Sequence, residues 1–347
     1  MNVARSLPGV LALAALALPL LAQGDRVTLA NDVALTDLRV VSFDVSTIKF
    51  VRSNAQHQEA SDQVPRVELE KVAELLRPGG RTHEALTTMA RDHVAQKNVL
   101  VAQFLFVAAA DAAFAAGKPT EGLAALEELT RTLPECGLAP EAYRRRFEFH
   151  HAIGGKGVGA AGAVAKKYLA DAIGGGWPRG FAFEAEFLLA LVERSNARAF
   201  QAKLRTLVEK AAGPAPVVAE RARVELAHTL RTAKDSAEAR RIYEATLARD
   251  GADVTARAGA WIGLGRLALD EAEAGDKDAL QRAMTAFLRV RIECRQAWPA
   301  LRAEALFEAA AAAERWRGPD YAQVIASCRA ALAAEFATSE WNEKARR

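Results

Sequence analysis

Residues 256–287 read ARAGAWIGLGRLALDEAEAGDKDALQRAMTAF, and the reading of this stretch decides the fold. It divides into two helices joined by a polar turn that contains glycine. The first carries Trp261, Leu264, Gly265 and Ala268 on one face, and the second carries Ala283, Phe287 and Val290. Apolar residues recurring at i, i+3, i+4 and i+7 mark a helix buried along one stripe. A small residue where two helices cross lets the backbones approach, and a large residue one turn later fills the groove. The stretch is therefore expected to be an antiparallel helical hairpin.

Weaker copies surround it. Ala73 precedes Ala85 and Met89, with Pro78-Gly79-Gly80 as the turn. Ala110 precedes Gly122 and Leu126, with Gly117-Lys118-Pro119 as the turn and Pro134 closing the second helix. Ala227 precedes Ala239 and Tyr243 across Lys234-Asp235-Ser236. The separation between the two small residues is the same each time. In the central unit, from Gly265 to Ala283, it is longer, and Glu271 to Asp278 holds the excess. Two units are degenerate. Pro140 to Ala172 has helices over Ala142–Ile153 and Ala160–Ala172 around a glycine-rich break. Phe181 to Ala212 has a first helix ending near Glu193 and a second starting at Ala197. The last unit spans Leu301 to Phe336, with Gly318-Pro319-Asp320 as its turn, and Thr338–Ala345 begins a further helix.

The pattern W-x-x-L-G from Trp261 to Gly265, followed by A-x-x-x-F from Ala283 to Phe287, resembles the tetratricopeptide (TPR) repeat. The resemblance implies a mainly α fold: an α-solenoid of about seven antiparallel helix pairs over residues 67–347. Its inner helices would line a concave groove that takes a protein or peptide segment. No single pair can bury its apolar face alone, so stability would come from stacking neighbours. Aromatic and arginine side chains dominate interface hot spots. Phe106, Tyr143, Arg144 and Trp261 are therefore the expected partner-binding residues, although the repeat motif places Trp261 in packing.

Upstream the grammar differs. Met1–Ala22 has Arg5 in a basic start, an apolar run from Val10 to Leu21 and a small residue at the end, as a secretory signal peptide has. With no membrane span expected once it is removed, the chain would work in the periplasm or cell envelope. Residues 23–66 show period-2 alternation in Arg26–Leu29, Leu38–Phe43 and Thr47–Val51, with turns at Asn31-Asp32 and Ser53-Asn54. Gln56–Ala60 and Val64–Leu69 complete four or five short strands. This small β module resembles SH3-like or Sm-like small barrels, or else is a meander that caps the first repeat.

The 347 residues are 51% hydrophobic and 26% charged, a composition of folded protein. A net charge of +3 is too mild to imply a nucleic-acid partner. Cys136, Cys294 and Cys328 show no metal-ligand spacing. Cys294 and Cys328 lie about one repeat apart, so a bridge and two buried thiols are both open. Gly157–Gly162 matches G-x-G-x-x-G but follows a helix rather than the strand a dinucleotide site needs. His83-Glu84 begins H-E-x-x-H, with Thr87 where the second His is required. His150 and His151 are adjacent and diverge on a helix. Arg144-Arg145-Arg146 reads as a solvated basic face. No cofactor, metal or catalytic constellation is expected. The reading is a non-catalytic scaffold that mediates protein–protein contact. The alternatives are a tether anchored by the β module, or the helical platform of a cell-wall glycan-acting enzyme.

Overall fold

The computed structural model describes residues 24–29, 33–64, 66–76, 81–273 and 276–347. Met1–Ala22, the Asn31-Asp32 turn and Pro78-Gly79-Gly80 lie outside the described residues. Five strands come first: β1 (Asp25–Thr28), β2 (Ala34–Phe43), β3 (Thr47–Arg52), β4 (Ala55–Ala60) and β5 (Arg66–Glu68). They form one antiparallel sheet in the order β4-β3-β2-β1-β5. Alternation puts Leu38, Val40, Ile48 and Phe50 on the buried face. A bulge between Val40 and Ser42 lets Phe43 face the same side as Val40 although they are three residues apart. Ser53 and Asn54 both have positive φ, 50° and 63°, which matches the twist of a tight hairpin between β3 and β4.

Fifteen helices follow among the described residues. They are α1 (Glu70–Leu76), α2 (His83–Ala95), α3 (Val99–Ala115), α4 (Pro119–Thr132), α5 (Ala139–Ala152), α6 (Val158–Gly174), α7 (Arg179–Val192) and α8 (Ala197–Lys210). The rest are α9 (Pro216–Thr232), α10 (Ser236–Ala248), α11 (Val254–Glu273), α12 (Lys277–Glu293), α13 (Pro299–Trp316), α14 (Tyr321–Glu335) and α15 (Glu340–Ala345). The fold is thus mainly α, preceded by a small antiparallel sheet. No described helix is long and apolar enough to cross a membrane.

Helix ends are set by local chemistry. Proline opens α4, α5, α9 and α13, where its missing N–H is no loss. Four turns share one hydrogen-bond pattern. Lys97, Gly117, Gly176 and Lys234 take positive φ of 57°, 69°, 62° and 67°, and each following N–H reaches back to the carbonyl five residues earlier. This is the Schellman closure of a helix. At Lys97-Asn98 and Lys234-Asp235 the second residue also caps the next helix through its side chain.

The crossing of α11 and α12 follows the small-residue argument: a Cβ on Gly265 would lie 2.6 Å from the Phe287 ring. The first expected pair is corrected. With only Val72 buried, α1 packs on α3, and α2 finds its partner in α3. The sheet is not separate from the helices. Its buried residues share one core with α1–α9. The side chain of Gln103 on α3, fully buried, donates to the Phe43 carbonyl at 3.1 Å and accepts from the Leu138 N–H at 3.0 Å. Cys136, Cys294 and Cys328 are free thiols, all buried.

The inner helices curl toward one another. Helices α7, α9, α11 and α13 neighbour one another in turn along the inner face, and α13 then packs back onto α5. Trp298, which caps α13, packs in the core of the first half, at 6.2 Å from Phe147 on α5 and from Phe187 on α7. The inner helices therefore line a deep cavity that stays partly open to solvent. The C-terminal segment adds to the closure: Lys156 pairs with Glu343 at 3.2 Å, and Gly154 abuts the Glu340 side chain.

Candidate functional site

The four residues expected to bind a partner do not lie on this cavity. Phe106 is fully buried in α3, and Tyr143 is buried in α5, where it stacks on Tyr168 at 5.1 Å and donates to Asp171. Both belong to the core, because the inner helices bury aromatic faces against the next helix instead of presenting them. Arg144 is held by Glu141 and by both oxygens of Glu184, at 2.7 and 3.2 Å. Trp261 donates to Glu293 at 3.1 Å and lies under the Arg289 guanidinium at 4.6 Å, so it serves the α11–α12 contact. The G-x-G-x-x-G stretch is the turn between α5 and α6 and the start of α6.

The cavity has a volume of about 790 Å3. Its walls come from the end of α5, from α7, the start of α8, α9 and α11, from the start of α13, and from α15. Phe187, Phe200, Ile262, Trp298 and Trp341 give it apolar sides. Gly259 keeps α11 close to α9: a Cβ there would lie 2.8 Å from Val224 and 3.7 Å from His228 Nε2. Concave, mostly apolar pockets of this size with a few converging polar groups are the usual form of ligand sites.

The polar groups differ in how they are partnered. Arg266 is taken by Glu304 and lies 3.9 Å from Glu308. Arg221 makes a two-pronged pair with Asp253, at 2.7 and 2.9 Å, and its guanidinium covers the Trp298 ring at 5.3 Å. Tyr243 and His228 Nδ1 are 2.7 Å apart. Three charged lining residues are left over. Glu225 on α9, Arg194 in the turn between α7 and α8, and Arg198 in the first turn of α8 make no hydrogen bond or ion pair among the described residues.

The electrostatics follow from enclosure. Burial pushes the Glu225 carboxyl up to about 7, Arg194 and Arg266 oppose the rise, and Glu304 adds to it. Burial likewise pushes His228 down to about 3, with Arg266, Arg231 and Arg194 adding to the fall. His151, at the cavity edge, goes down to about 4 for the same first reason. Glu304 is raised by burial. The interior is thus poor in net charge near neutral pH although it is lined with ionisable groups. Among the described residues, no group of three or more His, Cys, Asp or Glu side chains is arranged to hold a metal ion.

No protein-family model matches the chain, and no curated protein matches it in sequence. The cavity therefore speaks through its own chemistry. Its residues carried one faint sequence signal. Glu225 and Glu304 are acidic residues that each follow an alanine one turn earlier, at Ala222 and Ala300.

Proposed function

We propose that this chain is a TPR-like helical-repeat binding protein of the cell envelope that holds a segment of a protein or peptide in its central cavity and performs no catalysis. The observation that carries the reading is the partly open cavity ringed by the inner helices, with Glu225, Arg194 and Arg198 left without a hydrogen bond or ion pair along it. Glu225 loses hydration and gains no hydrogen-bond partner among the described residues, so a ligand is the natural partner. The envelope assignment rests on the signal-like sequence Met1–Ala22 alone. The five-strand order, the β2 bulge and the single 3-10 turn at Ser61–Gln63 before β5 support an SH3-like reading of the β module. Its shared core with α1–α9 favours the module as part of the array over a free-standing tether.

Site-specific photo-crosslinking tests the reading. A photoreactive residue replacing Ala197 or Gln201, both at the cavity, should capture the partner, and the same residue replacing Ile173 on α6 should not. Capture from Ile173 with none from the cavity positions would defeat it.

One observation favours a second reading, an enzyme that cleaves wall glycan. A carboxyl held near 7, as Glu225 is, suits a general acid. Glycoside cleavage needs a second carboxylate facing the first, and Glu304, across the cavity, is already engaged by Arg266. Release of reducing ends from purified peptidoglycan, lost in Glu225→Gln, would establish this reading in place of the first.

A further inference from the structure

Several groups of the cavity can offer hydrogen. Arg194 and Arg198 present guanidinium N–H groups from the exposed turn at the mouth. The charge of Arg194 acts on His151, Glu225, His228 and Glu304, which stand on α5, α9 and α13. His228 makes the same offer. Tyr243 is wholly buried, and His228 Nδ1 is its hydroxyl's partner among the described residues; with the phenol O–H donating, Nδ1 accepts. A neutral imidazole accepting at Nδ1 carries its proton on Nε2, and Nε2 lies on the side of Gly259, on the cavity wall. Glu225, three residues before His228 on the same helix face, is half-protonated near neutral pH and then donates as well.

We propose that the cavity binds a carboxylate, gripped by Arg194 and Arg198 at the mouth and met inside by His228 Nε2–H and the Glu225 carboxyl. This rests on the cavity-binding reading above and names its ligand chemistry. Guanidinium–carboxylate pairing is strong and directional, and charge-assisted bonds of this kind are about twice as strong as neutral ones. The surplus charge agrees. Arg221 and Arg266 are neutralised by Asp253 and Glu304, whereas Arg194 and Arg198 are not neutralised by any described residue. The carboxylate belongs either to an acidic peptide segment or to a small free acid.

The proposal carries a pH signature. The groups facing Glu225 are Arg194 from the α7–α8 turn, Arg266 from α11 and Glu304 from α13, with His228 on its own helix. A bound anion favours the protonated form of Glu225, so binding takes up a proton and affinity falls as pH rises through about 7.

Titration calorimetry on the full chain tests it with four probes: an acetylated, amidated Gly-Glu hexapeptide, its Gln and Lys counterparts, and citrate. The Gly-Glu peptide or citrate should bind, more tightly at pH 6 than at pH 8 by about tenfold. The Arg194→Gln, Arg198→Gln double variant, altered only at exposed positions, should lose at least about tenfold in affinity at unchanged Tm. Glu225→Gln, which keeps a donor without a proton to lose, should retain the pH 6 affinity and remove the pH dependence. Binding of citrate assigns a free acid as the source, and binding of the peptide alone assigns a chain segment. Preference for the Gln or Lys peptide, or no binding of either acidic probe, overturns the carboxylate assignment. Crosslinking at Ala197 would still report the cavity reading separately.

Discussion

The Tyr243 hydroxyl sits 2.7 Å from His228 Nδ1, joining α10 to α9 behind the cavity wall. Tyr243 is fully buried, and α11 passes directly over its ring at Gly263, where a Cβ would collide with Cζ. Replacing Tyr243 by Phe keeps the ring and leaves His228 Nδ1 without its partner. An orphaned buried group costs about 1–3 kcal/mol, so a denaturant midpoint shift of that size is expected at pH 7. The wild-type histidine also sets an acid limit. Its folded pKa, about 3, lies below its ordinary 6.5. Between these values the unfolded chain holds the proton and the folded chain does not, so stability falls as pH drops through 6.5. His228→Leu should flatten that part of a Tm-versus-pH curve.

Glycine substitutions separate close packing from mere helix propensity. Gly263→Ala forces the Tyr243 ring to move and should cost about 1–3 kcal/mol by overpacking. Gly159, near the start of α6, has nothing within 4 Å of its Cβ direction. Gly159→Ala should instead stabilise, by about 0.5–1 kcal/mol from helix propensity. Chemical denaturation of both variants should give shifts of opposite sign. Two shifts of the same sign would mean that the α10–α11 approach is not as close as described.

Hairpins were legible in the sequence because their contacts are local. Gly265 and Phe287 stand in one helical pair, so the spacing of small and large residues encoded their meeting. The turns at Lys97 and Lys234 were legible as breaks, though a lysine in the left-handed region carries no composition signal of its own. Closure of the array was not legible. Trp298 reads as an ordinary residue before Pro299, and its neighbours Phe147 and Phe187 lie more than a hundred positions earlier. Periodicity reports which face of a helix is buried; it does not report how far a stack curls. Phe106 and Tyr143, read from the sequence as binding aromatics, are buried, since burial against a neighbouring helix and exposure on an inner face share one pattern.

Glu148 supplies a prediction on the alkaline side. It lies on the inner helix α5 and makes no hydrogen bond or ion pair among the described residues. Burial pushes its carboxyl up to about 7, against the pull of Arg144 and Arg221. Between the ordinary value of 4.5 and about 7 the folded chain holds a proton that the unfolded chain has released. Stability therefore falls as pH rises through that window, and the full cost is present above it. Glu148→Gln removes the charge and keeps the shape. Its Tm should exceed that of the wild type at pH 8 and match it at pH 4.5. An equal effect at both pH values would indicate a packing change instead of a titration.

Trp298 is where the two ends of the array meet. Its ring touches Phe147 on α5 and Phe187 on α7, with Arg221 from α9 over one face. Trp298→Ala would remove a buried aromatic from a site that three helices hold at fixed spacing, so collapse is limited and about 3–5 kcal/mol should be lost. Because the residue bridges distant parts of the chain, the loss should not be spread evenly. Hydrogen exchange should rise first in α13 and in the 153–157 turn, where Lys156 and Gly154 meet α15, and last in the α11–α12 hairpin, which has its own core. Uniform loss of protection would mean that the ring of inner helices is held by its neighbour-to-neighbour contacts and that the tryptophan merely fills space. A localised loss would establish that the ring of inner helices is held together at this one point.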